Sequence, residues 1–267
     1  MTSLVIVVKV KVENTTMADN MYGYNDYHGP LHEPHEQEKG TENQTKLEEE
    51  EEEEDDPLRC GLWMEGDSLA PPCGTTVGTI HKLLEFCRVG DTDVVYDLGC
   101  GDGRVCLEAL VRFRAAECVG VEIETDLVDR FNHLIDSLPT DVKEHEGKLR
   151  IRAIRKDLRQ VARDLVDRAK RENNNKIANS HATVNEDDDD NVLPLPSLVV
   201  LYLLPEAIAE IEEDLVEMLK VIDPMRILCN TWGLKSIKPT STLEIEETPG
   251  GASTVVSLYT KEALTSH

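Results

Sequence analysis

The sequence is poor in basic and aromatic residues and lacks long apolar runs. Its 267 residues include 28 Lys or Arg against 53 Asp or Glu, for a formal net charge of −25. Such an acidic chain repels phosphate backbones, so general nucleic-acid binding is not expected. The apolar run at residues 4–8 is far shorter than the roughly 20 residues that span a bilayer. Neither a membrane span nor a signal peptide is therefore predicted.

Paired cysteine motifs are also missing. The seven cysteines are an odd number with no C-x-x-C pair, and several lie within apolar segments. This usage is typical of reduced, mostly buried thiols in an intracellular protein rather than of a disulfide scaffold. No metal site is predicted. The cysteines are Cys60, Cys73, Cys87, Cys100, Cys106, Cys118 and Cys229.

Composition divides the chain into a tail and a domain. Residues 1–56 end in nine consecutive acidic side chains at 48–56, which repel one another, so a disordered tail is predicted. Residues 5–12 alternate partly like a strand, but no partner for them is predicted, and deleting the tail is expected to leave the fold intact. A domain is predicted over 57–267, with a disordered acidic insertion at 172–191.

Apolar periodicity within this domain predicts an α/β fold. Short β-branched runs alternate with helical stripes, which indicates a doubly wound, mostly parallel sheet with helices on both faces. The run at residues 198–203 is almost wholly apolar, as in a central parallel strand. Residues 242–246 and 253–259 alternate with period two around a Pro-Gly-Gly turn. They predict an antiparallel C-terminal hairpin.

The segment at 94–104 is the most informative. A strand leads through Gly99, Cys100, Gly101 and Gly103 into a helix, so a ligand can lie against the turn at the helix N-terminus. Carboxylates stand on both sides of the turn, at Asp97 and Asp102. They would oppose a pyrophosphate but suit a cationic ligand without phosphate. The loop therefore favours S-adenosylmethionine over a dinucleotide.

Two further acids follow the next strands of the predicted sheet. Glu122 ends the strand after the glycine turn, where a carboxylate can accept hydrogen bonds from both ribose hydroxyls. Asp157 follows the third strand, where it could meet an adenine amino group or simply cap the next helix.

Residues 95–105 and the Val119-Gly120-Val121-Glu122 segment resemble motifs of the class I, seven-strand S-adenosylmethionine-dependent methyltransferases. The likeness covers about residues 70–260. It implies the strand order 3-2-1-4-5-7-6. It also implies that Asp97 and the glycine turn hold the methionine end of the cofactor, Glu122 the ribose and Asp157 the adenine.

Three more segments narrow the resemblance. They are Pro71-Pro72-Cys73-Gly74-Thr75-Thr76, Leu201-Tyr202-Leu203-Leu204-Pro205 and Leu228-Cys229-Asn230-Thr231-Trp232. Together they are similar to a group related to mitochondrial protein-lysine methyltransferases. In such relatives a proline-threonine segment closes over the cofactor, whereas here Cys73 and Gly74 interrupt it.

The expected catalytic features are sparse. The Asn/Asp-Pro-Pro-aromatic motif of many amino-methylating enzymes is replaced by Tyr202-Leu203-Leu204-Pro205, so methylation of nucleic-acid bases is disfavoured. Tyr202, Pro205 and Trp232 could line an apolar channel for a lysine amine, or the two aromatics could be core residues. No catalytic base is identified.

The sequence is consistent with three functional hypotheses. The first is a protein methyltransferase acting on lysine in a basic protein, and the second is a small-molecule methyltransferase. The third is a non-catalytic interaction protein that keeps the fold. The first 40 residues contain no arginine, unlike a mitochondrial presequence, so a cytoplasmic or nuclear protein is expected rather than a mitochondrial one. The protein is expected to be a monomer.

Overall fold

The computed structural model describes residues 75–178, 193–246 and 253–265, together with the backbone of residues 6–11. The strands are β1 (Ile6–Lys11), β2 (Val94–Leu98), β3 (Glu117–Glu122), β4 (Glu144–His145), β5 (Lys148–Leu149), β6 (Ile151–Arg155), β7 (Leu198–Leu201), β8 (Arg226–Asn230), β9 (Ser241–Glu246) and β10 (Ser253–Thr260). The helices are α1 (Val77–Phe86), α2 (Arg104–Val111), α3 (Thr125–Ser137), α4 (Thr140–Lys143), α5 (Leu158–Ala178) and α6 (Pro205–Val221). A 3-10 helix, Lys261–Thr265, follows β10.

The main sheet runs β1-β9-β10-β8-β7-β2-β3-β6. Strands β8, β7, β2, β3 and β6 are parallel, whereas β10 pairs antiparallel with both β8 and β9. If β1 and the two-residue strands β4 and β5 are set aside, the remaining seven strands have the order 3-2-1-4-5-7-6. The predicted doubly wound sheet and its antiparallel hairpin are therefore confirmed, while the turn at 247–252 lies outside the described residues.

The N-terminal strand was not expected to have a partner, and that expectation is wrong. Residues 6–11 form β1, which pairs parallel with β9 from Ile6 opposite Ser241 to Lys11 opposite Glu246. Local periodicity could not show this, because the partner lies more than 200 residues away in sequence. The boundary predicted at residue 56 lies outside the described residues.

Deleting residues 1–56 is expected to keep the sheet from β9 to β6 but to uncover one edge of β9. An uncovered edge presents unpaired N–H and C=O groups to other chains, so self-association should increase. Light scattering over a concentration series, with the full chain as control, measures this. Loss of cooperative thermal unfolding on truncation would contradict the placement of β1 at the periphery of the fold.

Two apolar clusters cover the two faces of the sheet. One joins β7 and β8 to α5 and α6, and the other packs α1, α2 and Phe131 of α3 on the opposite face. Strand β7 is buried along its whole length, as predicted for a central strand. The cysteines that the structure describes are free and buried, as predicted, and Cys60 and Cys73 lie outside the described residues.

Helix α5 extends into the region predicted to be a disordered acidic insertion. It continues through residues 172–178, which were assigned to the disordered insertion. The i,i+4 ion pair of Arg168 with Glu172, at 2.7 Å, and a hydrogen bond from Asn173 Nδ2 to the carbonyl of Val221, also at 2.7 Å, support this extension. Residues 179–191 lie outside the described residues. Among the described helices, none is long and apolar enough to cross a membrane.

Candidate active site

The glycine turn lies at the carboxyl end of β2, where the loop enters α2. Gly99, Gly101 and Gly103 all have positive φ, at 87°, 56° and 78°. A Cβ on Gly103 would lie 2.1 Å from the ring of Phe131, whereas a Cβ on Gly101 would meet nothing within 4 Å. Gly103 is therefore required by packing, and Gly101 leaves room for a ligand to approach the backbone.

The turn is held against the end of β3. The N–H groups of Gly99 and Cys100 both donate to the carbonyl of Val121, at 2.9 and 3.0 Å. The Cys100 side chain is buried, and a Cβ on Gly120 would lie 2.7 Å from its sulfur. Cys100 can therefore offer a ligand only its backbone.

Glu122 joins the end of β3 to the glycine turn. Its Oε2 accepts the N–H of Gly101 at 3.0 Å, and its Oε1 accepts the N–H groups of Ile123 and Glu124 at 2.7 and 3.0 Å. These bonds fix the carboxylate beside the open space at Gly101. Its predicted role as ribose acceptor stays a prediction.

Asp97 is a buried acid near the carboxyl end of β2, with 4% of its surface exposed. The carboxyl ends of the parallel strands together form the carboxyl edge of the sheet. Burial, and then the negative charges of Glu122 and Asp102, raise the pKa of Asp97 from 3.8 to about 7. Each of these effects penalises the ionised form, so a cationic ligand would relieve the penalty.

Asp102 is neutralised by the chain itself. Its two carboxylate oxygens accept from Nε and Nη2 of Arg104, both at 2.9 Å, in a forked pair. Arg104 Nη1 donates to the carbonyl of Thr75 at 3.1 Å, and Arg130 Nε lies 3.9 Å from Asp102 Oδ2. The pair thus ties the glycine turn to the segment before α1. Sequence reasoning placed Asp102 at the cofactor and overlooked Arg104.

Asp157 caps helix α5, which was one of its two predicted roles. Its Oδ1 accepts the backbone N–H of Arg159 at 2.9 Å, and its Oδ2 lies 2.6 Å from Arg159 Nη2. The hydrogen bonds from Arg159 lower the pKa of Asp157. Its role at an adenine stays a prediction.

The three predicted channel residues follow the next two parallel strands. Tyr202 comes directly after β7 and is 37% exposed, and Trp232 follows β8 and is 47% exposed. The alternative that they are core aromatics is therefore wrong. Pro205 is the first residue of α6, where a missing N–H costs nothing.

Sequence reasoning missed Asn230, the last residue of β8. It is 4% exposed, and its Oδ1 is buried without a hydrogen-bond partner. The next residue, Thr231, has φ of 68°, and the N–H of Trp232 donates to the carbonyl of Asn230 at 2.8 Å. This is the geometry of the rare, strained γ-turn. A polar residue that ends an apolar strand was the only signal in the sequence.

Comparison with known proteins gives limited overlap. No protein-family model matches the chain. A protein-lysine N-methyltransferase of Saccharolobus islandicus (strain REY15A) is 40% identical over 58 residues, which are 22% of this chain and 36% of that protein. The chain thus matches only about a third of the length of this curated relative.

Solved structures with a similar fold include two methyltransferases. An RNA methyltransferase from Salinibacter ruber in complex with S-adenosyl-L-homocysteine is 21% identical, with 70% of this chain and 93% of that chain covered and a TM-score of 0.46. The C-terminal domain of precorrin-6Y C5,15-methyltransferase from Rhodobacter capsulatus is 16% identical, with 70% and 89% covered and a TM-score of 0.43.

The fold itself follows from the sheet. It combines seven strands in the order 3-2-1-4-5-7-6, an antiparallel C-terminal hairpin and helices on both faces. This chain has the Rossmann-like methyltransferase fold.

Proposed function

We propose that this protein is an S-adenosylmethionine-dependent methyltransferase that transfers the methyl group to a lysine amine of a basic protein. When bound, S-adenosylmethionine supplies an electrophilic methyl group on a sulfonium. The residues described above supply a cradle for its charged and hydroxyl groups.

The observation that carries the cofactor proposal is Asp97. A buried carboxyl with a pKa raised to about 7 sits beside the glycine turn and near Glu122. Asp97 is buried, and the charge that acts on it most strongly, that of Glu122, is negative and is held by backbone N–H groups rather than by an arginine. The site therefore gains stability from a cation and would lose it with a pyrophosphate. An ammonium or sulfonium fits this environment.

The shape of the edge fits the same ligand. Open space at Gly101 lets a ligand reach the backbone, and Glu122 is held next to it by three backbone N–H groups. A carboxylate oxygen has more than one lone pair, so Glu122 can still accept ribose hydroxyls.

Support for a protein-lysine substrate is of a different kind. The relative from Saccharolobus islandicus is named as a protein-lysine N-methyltransferase. The net charge of −25 would attract a basic protein, an effect that salt screens. Tyr202 and Trp232 place exposed aromatic surface at the carboxyl edge, against which the apolar stem of a lysine can pack.

Isothermal titration calorimetry tests the cofactor. S-adenosylmethionine is expected to bind, and Glu122→Ala is expected to weaken binding by about 1.5–3 kcal/mol, since it removes hydrogen bonds to a charged group. Glu124→Ala is the matched control, because it removes an equal, exposed charge two residues away. Equal affinity in wild type and Glu122→Ala would contradict the assignment of Glu122.

Transfer of a radiolabelled methyl group into a cell lysate tests the substrate class. The lysate is separated into protein and small molecules, and labelled protein is hydrolysed to identify the modified amino acid. Methyl-lysine is expected. Label confined to small molecules would favour a small-molecule methyltransferase, and binding without transfer would favour an interaction protein.

A further inference from the structure

Asn230 is exceptional among the described residues because its buried acceptor is unused. Two buried side-chain atoms there lack a hydrogen-bond partner, the donor Lys82 Nζ and the acceptor Asn230 Oδ1, and they do not bond to each other. A buried carbonyl oxygen without a donor is costly, and such exceptions in a folded protein call for an explanation.

The position of Asn230 in the sheet explains why its acceptor is unused. In the parallel register, Asp97 is opposite Val200, and Val200 is opposite Leu228. Asn230 is two residues beyond Leu228, so it shares the same face of the sheet. It lies two strands across from Asp97, about 10 Å away, and about 7 Å further toward the carboxyl edge.

The backbone next to Asn230 is strained. Thr231 is β-branched and adopts a φ of 68°, which is unfavourable for any residue with a Cβ. Strained turns of this kind concentrate at functional sites. The turn joins the buried amide of Asn230 to the exposed side chain of Trp232 at the carboxyl ends of the parallel strands.

We infer that Asn230 Oδ1 accepts a hydrogen bond from the amine that receives the methyl group, which makes Asn230 a substrate-binding residue. This inference rests on the proposed function and names the substrate atom as a nitrogen that carries hydrogen. In the transfer, the nitrogen lone pair forms the bond to the methyl carbon as the carbon–sulfur bond breaks. The electron pair of the broken carbon–sulfur bond stays on sulfur. The methylated nitrogen then loses its extra proton to water.

A neutral amide suits this role better than a carboxylate. A lysine amine attacks only when it is deprotonated, and a buried carboxylate beside it would stabilise the ammonium form. An amide oxygen orients the N–H without adding a charge. Asn230 thus offers, at the end of β8, the acceptor that Tyr202-Leu203-Leu204-Pro205 lacks after β7.

The variant Asn230→Leu tests this inference without relying on turnover alone. It replaces an unused polar group by an apolar one of similar volume, so the melting temperature is expected to stay equal or to rise by about 2–4 °C. S-adenosylmethionine affinity should stay within twofold of wild type. Methyl transfer to poly-L-lysine should fall at least tenfold.

A charge variant adds a readout that a purely structural role would not move. In Asn230→Asp, the pH at which transfer is half-maximal is expected to rise, because a carboxylate would hold the amine as ammonium. Asn173→Leu is the matched control for Asn230→Leu. It removes an asparagine whose amide bonds to Val221, remote from the carboxyl edge, and its transfer rate should match wild type.

The outcomes separate this inference from the proposed function. A wild-type protein that binds no S-adenosylmethionine overturns both. Normal transfer by Asn230→Leu overturns the inference alone. So does a fall in melting temperature together with lost cofactor binding, since Asn230 would then be structural. A wild type that binds the cofactor but leaves poly-L-lysine unmodified also overturns the lysine-amine assignment.

Discussion

Replacing Asp97 by Asn is expected to stabilise the ligand-free protein at neutral pH and to weaken S-adenosylmethionine binding at least tenfold. Asn is nearly isosteric with the protonated acid but cannot ionise. The wild-type carboxyl has a folded pKa of about 7, above its ordinary 3.8. The folded state therefore binds more protons than the unfolded state between these values, and its stability falls as pH rises through this window.

The size of the effect follows from the shift. Each pKa unit corresponds to about 1.4 kcal/mol, so Asp97→Asn should gain up to roughly 4 kcal/mol over wild type at pH 8 and almost nothing below pH 4. Thermal melts across this range measure the gain. The exposed Asp129→Asn removes the same formal charge but keeps Asp97, so its melting temperature should fall with rising pH as that of the wild type does.

Ligand binding should show the opposite trend. Only the ionised carboxyl pairs with a cation, so wild-type affinity for S-adenosylmethionine should rise as pH increases from 5.5 to 8.5, with proton release at the lower pH values. Calorimetry in buffers of different ionisation enthalpy detects those protons. An affinity independent of pH would show that Asp97 does not face the cationic part of the ligand.

A second pair of substitutions separates the packing role of the glycine turn from its ligand role. Gly103→Ala is expected to destabilise the fold by about 3–5 kcal/mol. Its Cβ would lie 2.1 Å from the ring of Phe131 at a φ of 78°, so overpacking adds to backbone strain. Urea unfolding measures the loss.

Gly101→Ala is the matched variant. Its φ is also positive, at 56°, but its Cβ meets nothing within 4 Å, so only the backbone strain of about 1–2 kcal/mol is expected. Its Cβ would occupy the space through which a ligand approaches, so cofactor affinity should fall more than stability does. Two variants with equal stability would contradict the packing role of Gly103, and unchanged affinity in Gly101→Ala would contradict the ligand role of Gly101.

Local pattern was enough to predict the elements around the site. A four-residue apolar strand buried on both faces, such as β7, has the same signature in any parallel sheet. The turn after β2 could also be predicted from the sequence, since three glycines within five residues already indicate positive φ and close backbone approach. The extension of α5 could not be predicted from the sequence, because its low-complexity residues carry little apolar periodicity. Contacts that support it, such as that of Asn173 with Val221, are tertiary.

The sequence by itself determined the strand–turn–helix that forms the glycine loop and the acids at the ends of β2 and β3, Asp97 and Glu122, because these depend on neighbours along the chain. Only the tertiary structure decided that Arg104 ties the glycine turn to the carbonyl of Thr75, that β1 pairs with β9, and that Tyr202 and Trp232 stay exposed. It alone left the Asn230 acceptor unpaired. Hydrogen bonds, burial and the pKa of Asp97 depend on which distant residues the fold brings within a few ångströms, and neither composition nor periodicity contains that information.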